Sequence, residues 1–150
     1  MLATCTVILI IILSIIGFKM YLEADDIHWI EQQLEISKVY SLEKEDISHS
    51  FGFPCEGLDY YKIYFSEQEN EKMLLEIQMN SKWSIVDTDI EEKLREKINL
   101  AFVIGNIESE DIELAGKYYF NKEKEGLDIN YTIGIYDYSK RVLYFIKVTT

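Results

Sequence analysis

The chain has 150 residues, with 15 basic and 27 acidic side chains for a formal net charge of −12, and 48% of its residues are hydrophobic. That length suits one ordinary domain, and the apolar share excludes a disordered chain. The acidity argues against a nucleic-acid binder, which needs a basic stripe to displace phosphate counterions, and two cysteines are too few for a disulfide framework.

From Leu2 to Phe18 there is no Asp, Glu, Lys, Arg or His. Adding Met20, Tyr21 and Leu22 brings the stretch to roughly the 20 residues that cross a hydrocarbon core, and Lys19 and Tyr21 suit the interface. No small-residue cleavage pair follows Phe18. Cys5 precedes the apolar run instead of following it, which is the wrong order for a lipoprotein. The expectation is an uncleaved, single-pass transmembrane anchor over residues 1–22, contacting membrane lipid through residues 2–22. Lys19 leans toward a cytoplasmic domain, but long domains behind a short apolar segment usually translocate regardless of acidic charge, so an extracytoplasmic C-terminal domain is expected. The missing basic flank before the run also allows a true start upstream.

Residues 23–150 are expected to form an acidic α+β soluble domain, with two to three helices packed on an antiparallel sheet. Asp25 and Asp26 suit a helix start, and Ile27, Ile30 and Leu34 continue it to about Ile36. Trp29 suits the core of the domain better than the interface. The polar stretch from Ser37 to Ser50 reads as a loop, running into GFPCEG. Leu58 to Phe65 alternates as a strand, with Tyr61, Ile63 and Phe65 on one face and Tyr60, Lys62 and Tyr64 on the other. Ser66 and Glu69 form a capping box for a helix to about Asn80 lined by Met73, Leu74 and Ile77. A rival reading makes Met73, Leu75, Ile77 and Met79 one face of a strand.

A short strand fits near Trp83, Ile85 and Val86. Asp87 or Asp89 then caps a helix whose buried stripe is Ile90, Leu94, Ile98 and Phe102, while Glu91, Glu92, Lys93, Arg95, Glu96 and Lys97 face water and Gly105 and Asn106 end it. Strands are expected over Lys117–Asn121, Leu127–Tyr138 and Val142–Thr149. A turn near Ser139 and Lys140 sets Ile135 opposite Tyr144 and Ile133 opposite Ile146, on a core face. The other face pairs Tyr136 with Leu143 and Gly134 with Phe145, so it is either covered by a helix or a binding surface.

The pattern Gly116, Tyr118, Tyr119, Phe120, then Asn130 to Ile133, Ile135, Tyr136, Asp137, then Leu143, Tyr144, Phe145 resembles the C-terminal aromatic hairpin of small, single-pass, membrane-anchored bacterial proteins of uncharacterised activity, over about a third of the chain. The resemblance implies the topology and compartment already inferred, and no activity.

No phosphate loop, nucleophile elbow, HExxH or CxxC is present, and glycine is too sparse for a dinucleotide fingerprint. His49 and Cys55 share a loop, so a Cys/His nucleophile pair is conceivable, although a lone Cys is more often a small buried hydrophobe. As metal ligands they lack two partners. The carboxylates Glu91, Glu92, Glu108, Glu110 and Asp111 lack the framing of a calcium loop. Neither cofactor nor metal is expected. Tyr60, Tyr64, Tyr119, Tyr136 and Phe145 are the candidate ligand- or partner-binding residues, because aromatic rings recur at binding surfaces. The sequence therefore reads as a non-catalytic binding or accessory module of the cell envelope, with a protein as one candidate partner. The alternatives are an immunity or inhibitor protein that holds a basic toxin through complementary charge, and more remotely a hydrolase built on Cys55 and His49.

Overall fold

The computed structural model describes residues 11–14, 26–40, 43–50, 57–108, 112–114, 116–122 and 130–149. The transmembrane anchor is corrected at this level. A crossing helix needs roughly 20 apolar residues, and among the described residues no helix is long and apolar enough to cross a membrane. Residues 11–14 are helical, with Ile11, Ile12 and Leu13 exposed. The remainder of the stretch 1–22 lies outside the described residues.

Helix α1 covers 26–34. It ends where Glu35 turns left-handed at φ 52°, and the Ile36 N–H returns to the Glu31 carbonyl at 3.1 Å. Strands β1 (Glu43–Asp46) and β2 (His49–Ser50) follow, then β3 (Gly57–Tyr64), α2 (Glu67–Met79), β4 (Ser84–Ile85), α3 (Thr88–Gly105), β5 (Lys117–Lys122), β6 (Tyr131–Asp137) and β7 (Val142–Thr149). The strands form one sheet in the order β1-β3-β7-β6-β5-β4, with β2 also on β3, and every pair is antiparallel.

Two strands lie where the sequence reads as a loop. β1 is the four charged residues Glu43, Lys44, Glu45 and Asp46, and a charged strand is a common way to blunt a sheet edge. Its polarity hides it from a pattern search based on apolar alternation.

Residues opposite one another in the ladders share a face. Tyr60, Ile146 and Ile133 are aligned on one face; there the core includes Leu94, Ile98, Ala101 and Phe102 of α3. Tyr61, Phe145, Gly134 and Tyr119 are aligned on the other, where α1 supplies Ile30 and Leu34 and α2 supplies Met73 and Ile77. The face left open between cover and binding surface is thus covered. Because both faces are packed, all seven residues of β6 are buried.

The helices form for local reasons. In α2 the Ser66 hydroxyl accepts from the Glu69 N–H while the Glu69 carboxylate accepts from the Ser66 N–H, completing the capping box. Leu75 and Met79 are exposed, which removes the rival strand face. In α3 the cap is Asp87, whose carboxylate accepts from the Ile90 N–H at 2.9 Å. The helix terminates at Asn106 in the left-handed region. Gly105 does not turn the chain but admits a neighbour: a Cβ there would lie 2.5 Å from Leu58 Cδ2.

Gly134 is the tightest point of the other face. A Cβ on it would lie 2.7 Å from Leu34 Cδ2 and 2.8 Å from Trp83 Cη2. Gly134→Ala is expected to destabilise the fold by about 1–3 kcal/mol through overpacking, measured by urea unfolding; an unchanged midpoint would show that Trp83 and Leu34 give way freely.

The capping box also predicts a pH effect. Hydrogen bonds from the Ser66 side chain and backbone hold the Glu69 carboxyl below its ordinary value. A lowered folded value means that this contribution is fully present above the unfolded value, about 4.3, and is lost as pH falls through the folded one. The stability difference between the wild type and Glu69→Gln should therefore be larger at pH 7 than at pH 3. A constant difference would show that charge plays no part in the cap.

Candidate functional site

The five aromatic residues singled out in the sequence do not gather into one surface. Tyr60 is buried against Phe102 of α3, ring centroids 5.3 Å apart. Tyr64 is on the same face, half-buried, and its hydroxyl donates to Glu45 at 3.1 Å. Tyr119, Tyr136 and Phe145 are buried on the opposite face. Tyr119 donates to the Glu35 carboxylate at 3.0 Å, and Phe145 meets Trp29 edge-on at 5.2 Å. The Tyr136 hydroxyl lies 2.7 Å from Asn70 Oδ1 and 2.9 Å from its carbonyl oxygen. Burial pushes the Tyr136 phenol well above its ordinary value, so it stays a donor. The Asn70 amide in turn donates to the Tyr138 carbonyl at 3.2 Å.

The other candidates divide similarly. His28 is exposed on α1 and bonds to Glu31 and Gln32 of its own helix. His49 is in β2, with its backbone opposite Leu58, and Cys55 lies outside the described residues. Among the described residues no group of three or more His, Cys, Asp or Glu is placed to hold a metal ion. A polar cluster does occur where α1 meets β1 and β3. Lys44 pairs with Asp26 and lies over the Tyr61 ring, and Lys147 approaches the Trp29 ring. Burial pushes the Tyr61 phenol to about 12, with a Ser48 hydrogen bond opposing and Asp46, Asp26 and Asp59 adding. Burial likewise raises the Asp59 carboxyl, against the pull of Lys147. Lys44 offsets Asp26 directly, and the cluster joins α1 to β1 and β3.

A cleft of about 390 Å³ opens elsewhere, between α3 and the β4–β5 side of the sheet. That is within the usual range for small-molecule sites. Its helical wall carries Ile90, Lys93, Leu94, Glu96 and Lys97, and its sheet wall carries Ser84, Tyr118 and Phe120, with Lys82 at the rim. Leu94 is buried, Ile90 and Tyr118 are half-buried, and Phe120 is 40% exposed.

The cleft is positioned by the fold. The Tyr131 hydroxyl donates to the Lys97 carbonyl at 2.7 Å and so pins α3 to the sheet. The Tyr131 ring also packs on Phe120 at 6.2 Å. Lys82 is held by an ion pair with Glu35. Lys93 and Lys97, one turn apart on α3, have no ion-pair partner among the described residues.

No protein-family model matches this chain, and neither a curated protein nor a solved structure matches it. The functional reading therefore rests on the geometry alone. Sequence reasoning left Lys93 and Lys97 on the solvated side of α3 and counted Phe120 only as strand. The available signal was their spacing: Lys93 and Lys97 lie next to the stripe Ile90 and Leu94, at the margin where a helix face meets water.

The buried tyrosine supplies a direct test of structural against binding roles. Tyr136→Phe leaves Asn70 Oδ1 without its donor and should cost about 1–3 kcal/mol of stability, read by urea unfolding. An undiminished midpoint would remove the Tyr136–Asn70 bond from the account of what holds α2 to the sheet.

Proposed function

We propose that this chain is a non-catalytic binding module whose ligand is an anion with an apolar body, held in the cleft between α3 and β5. One observation carries the reading. Lys93 and Lys97 line the cleft together with a partly exposed aromatic ring, Phe120, and have no ion-pair partner among the described residues, in a chain where acids outnumber bases 27 to 15. Of the other described lysines, Lys44, Lys62, Lys82 and Lys140 pair with a carboxylate, and Lys38 and Lys72 lie over the Tyr40 ring. Here the cleft lining has three lysines and one glutamate.

The chemistry follows from the walls. Two ammonium groups four residues apart on a helix repel each other by a few tenths of a kcal/mol, and a carboxylate, sulfonate or phosphate between them relieves that repulsion. Ile90, Leu94, Tyr118 and Phe120 supply the apolar contact that favours a ligand with a ring or aliphatic body over a bare inorganic ion. The alternative of an inhibitor for a basic partner rests on net charge alone, so the cleft is the better-supported site.

An anilinonaphthalene sulfonate probe tests this reading, because it joins an aromatic body to one fixed anion. The probe should bind with perturbation of Tyr118 and Phe120 resonances. The double substitution Lys93→Glu, Lys97→Glu should weaken it at least tenfold, or about 1.4 kcal/mol, and added salt should weaken it as well. Binding that ignores both lysines, or that perturbs residues away from the cleft, would refute the assignment.

A further inference from the structure

Lys82 belongs to two neighbourhoods. It lines the cleft with Lys93, Lys97 and Glu96, and its ammonium pairs with the Glu35 carboxylate at the end of α1. Its backbone is fixed: the Lys82 N–H donates to Asn80 Oδ1 at 3.0 Å, and the Trp83 N–H donates to the Asn80 carbonyl at 3.1 Å. A change of partner therefore moves the side chain alone. Such a change is cheap, because the Lys82 and Glu35 side chains are 55% and 41% exposed and ion pairs in that much water contribute little to stability. Glu35 also keeps another partner. Lys82 meets its Oε2, while the Tyr119 hydroxyl donates to its Oε1 at 3.0 Å.

The charge of the cleft depends on which partner Lys82 takes. While Glu35 holds it, Lys93 and Lys97 against Glu96 leave one net positive charge on the lining; released from Glu35, Lys82 raises that to two. A group with one negative charge is matched without Lys82, and a group with two is matched only with it. A phosphate monoester is such a group, with a charge of about −1.5 to −2 at pH 7 and three acceptor oxygens. The apolar lining of Ile90, Leu94, Tyr118 and Phe120 calls for a ring on the ester oxygen.

We propose that the ligand of this cleft is an aromatic phosphate monoester, and that its dianionic phosphate draws Lys82 from Glu35 to join Lys93 and Lys97. The inference rests on the anion reading of the cleft and adds the class of ligand and a positioning residue outside α3. The two lysines of α3 attract any anion with an apolar body, whereas Lys82 distinguishes two charges from one. Charge complementarity of this kind acts chiefly on specificity.

The test compares two ligands with the same ring, 1-naphthyl phosphate and naphthalene-1-sulfonate, by calorimetry on the full chain. At pH 8 the phosphate should bind at least tenfold more tightly than the sulfonate. Lys82→Gln should remove most of that advantage and leave the sulfonate unchanged, whereas Glu35→Gln, which frees Lys82, should tighten the phosphate severalfold. A second measurement needs no variant. From pH 8 to pH 5 the phosphate should bind more weakly as its second ionisation, at about pH 6, reverses, while the sulfonate should not change. The titratable groups facing the anion are Lys93, Glu96 and Lys97 of α3, Tyr118 of β5 and Lys82, with Glu35 behind Lys82. None is a histidine, the side chain whose ordinary titration falls in that range. Inorganic phosphate, lacking the ring, should bind at least tenfold more weakly than the ester. If the sulfonate binds through Lys93 and Lys97 and the phosphate gains nothing from its second charge or from Lys82, the dianion is overturned while the anion site stands. Inorganic phosphate binding as tightly as the ester would overturn the aromatic class. If neither naphthyl compound binds, both readings fall.

Discussion

Burying β6 and β7 on both faces is the constraint on which the remaining structure depends. Each face of this hairpin is apolar, with Ile133, Ile135, Tyr144 and Ile146 on one side and Tyr136, Leu143 and Phe145 on the other. A single helical layer would leave one of them in water, and fully burying a side chain of this size is worth about 1.5–3 kcal/mol. The helices are therefore divided, α3 to one face and α1 with α2 to the other. The hairpin itself is closed by Asp137, whose carboxylate accepts from the Ser139 N–H and hydroxyl and from the Lys140 N–H. Helix placement follows from the two apolar faces, and the turn fixes the register of the hairpin.

Apolar burial does not fix how the helices sit, and single polar residues do so here. Tyr131 reaches α3 through the Lys97 carbonyl, and Tyr136 reaches α2 through Asn70. Glu35 connects more elements than either. Its carbonyl accepts from the Asn80 amide at the end of α2 at 2.7 Å, and its carboxylate accepts from Tyr119 of β5 and pairs with Lys82. A helix C-terminus usually uses glycine at a left-handed position. Glutamate at φ 52° carries conformational strain of about 1–2 kcal/mol, which those three interactions offset. The residue joins the end of α1, the turn after α2 and the edge of the sheet.

The elements with a strong local signal were legible in the sequence. The Ser66–Glu69 box, the Asp87 cap, the stripe Leu94, Ile98 and Phe102, and the β6–β7 register through Ile135↔Tyr144 all depend on residues within a short span. What was hidden depends on tertiary position. β1 is polar because it lies at an edge. Gly134 beside Phe145 left that face undecided between a helical cover and a binding surface, because Trp83 and Leu34, which pack on Gly134, come from far along the chain. The apolar run at the N-terminus has the composition of a membrane segment, but only residues 11–14 of it are described, and no described helix is long and apolar enough to cross a membrane. The aromatic candidates failed to converge for a related reason: strand alternation specifies a face, but it does not specify which face a helix will later cover.

The same logic separates the three lysines of the cleft. Lys82 approaches it from the turn after α2 and is drawn to Glu35, so its charge is used in holding the fold. Lys93 and Lys97 stand on α3, where Arg95 takes Glu91 as its partner at 2.9 Å, leaving them to face the sheet wall across the cleft. Their charge has no structural use among the described residues, and Phe120 beside them is an aromatic ring kept partly in water. Both features oppose stability in the isolated domain, the first by like-charge repulsion and the second by exposed apolar area. Both would be relieved by the occupant proposed above, an anion with an apolar body.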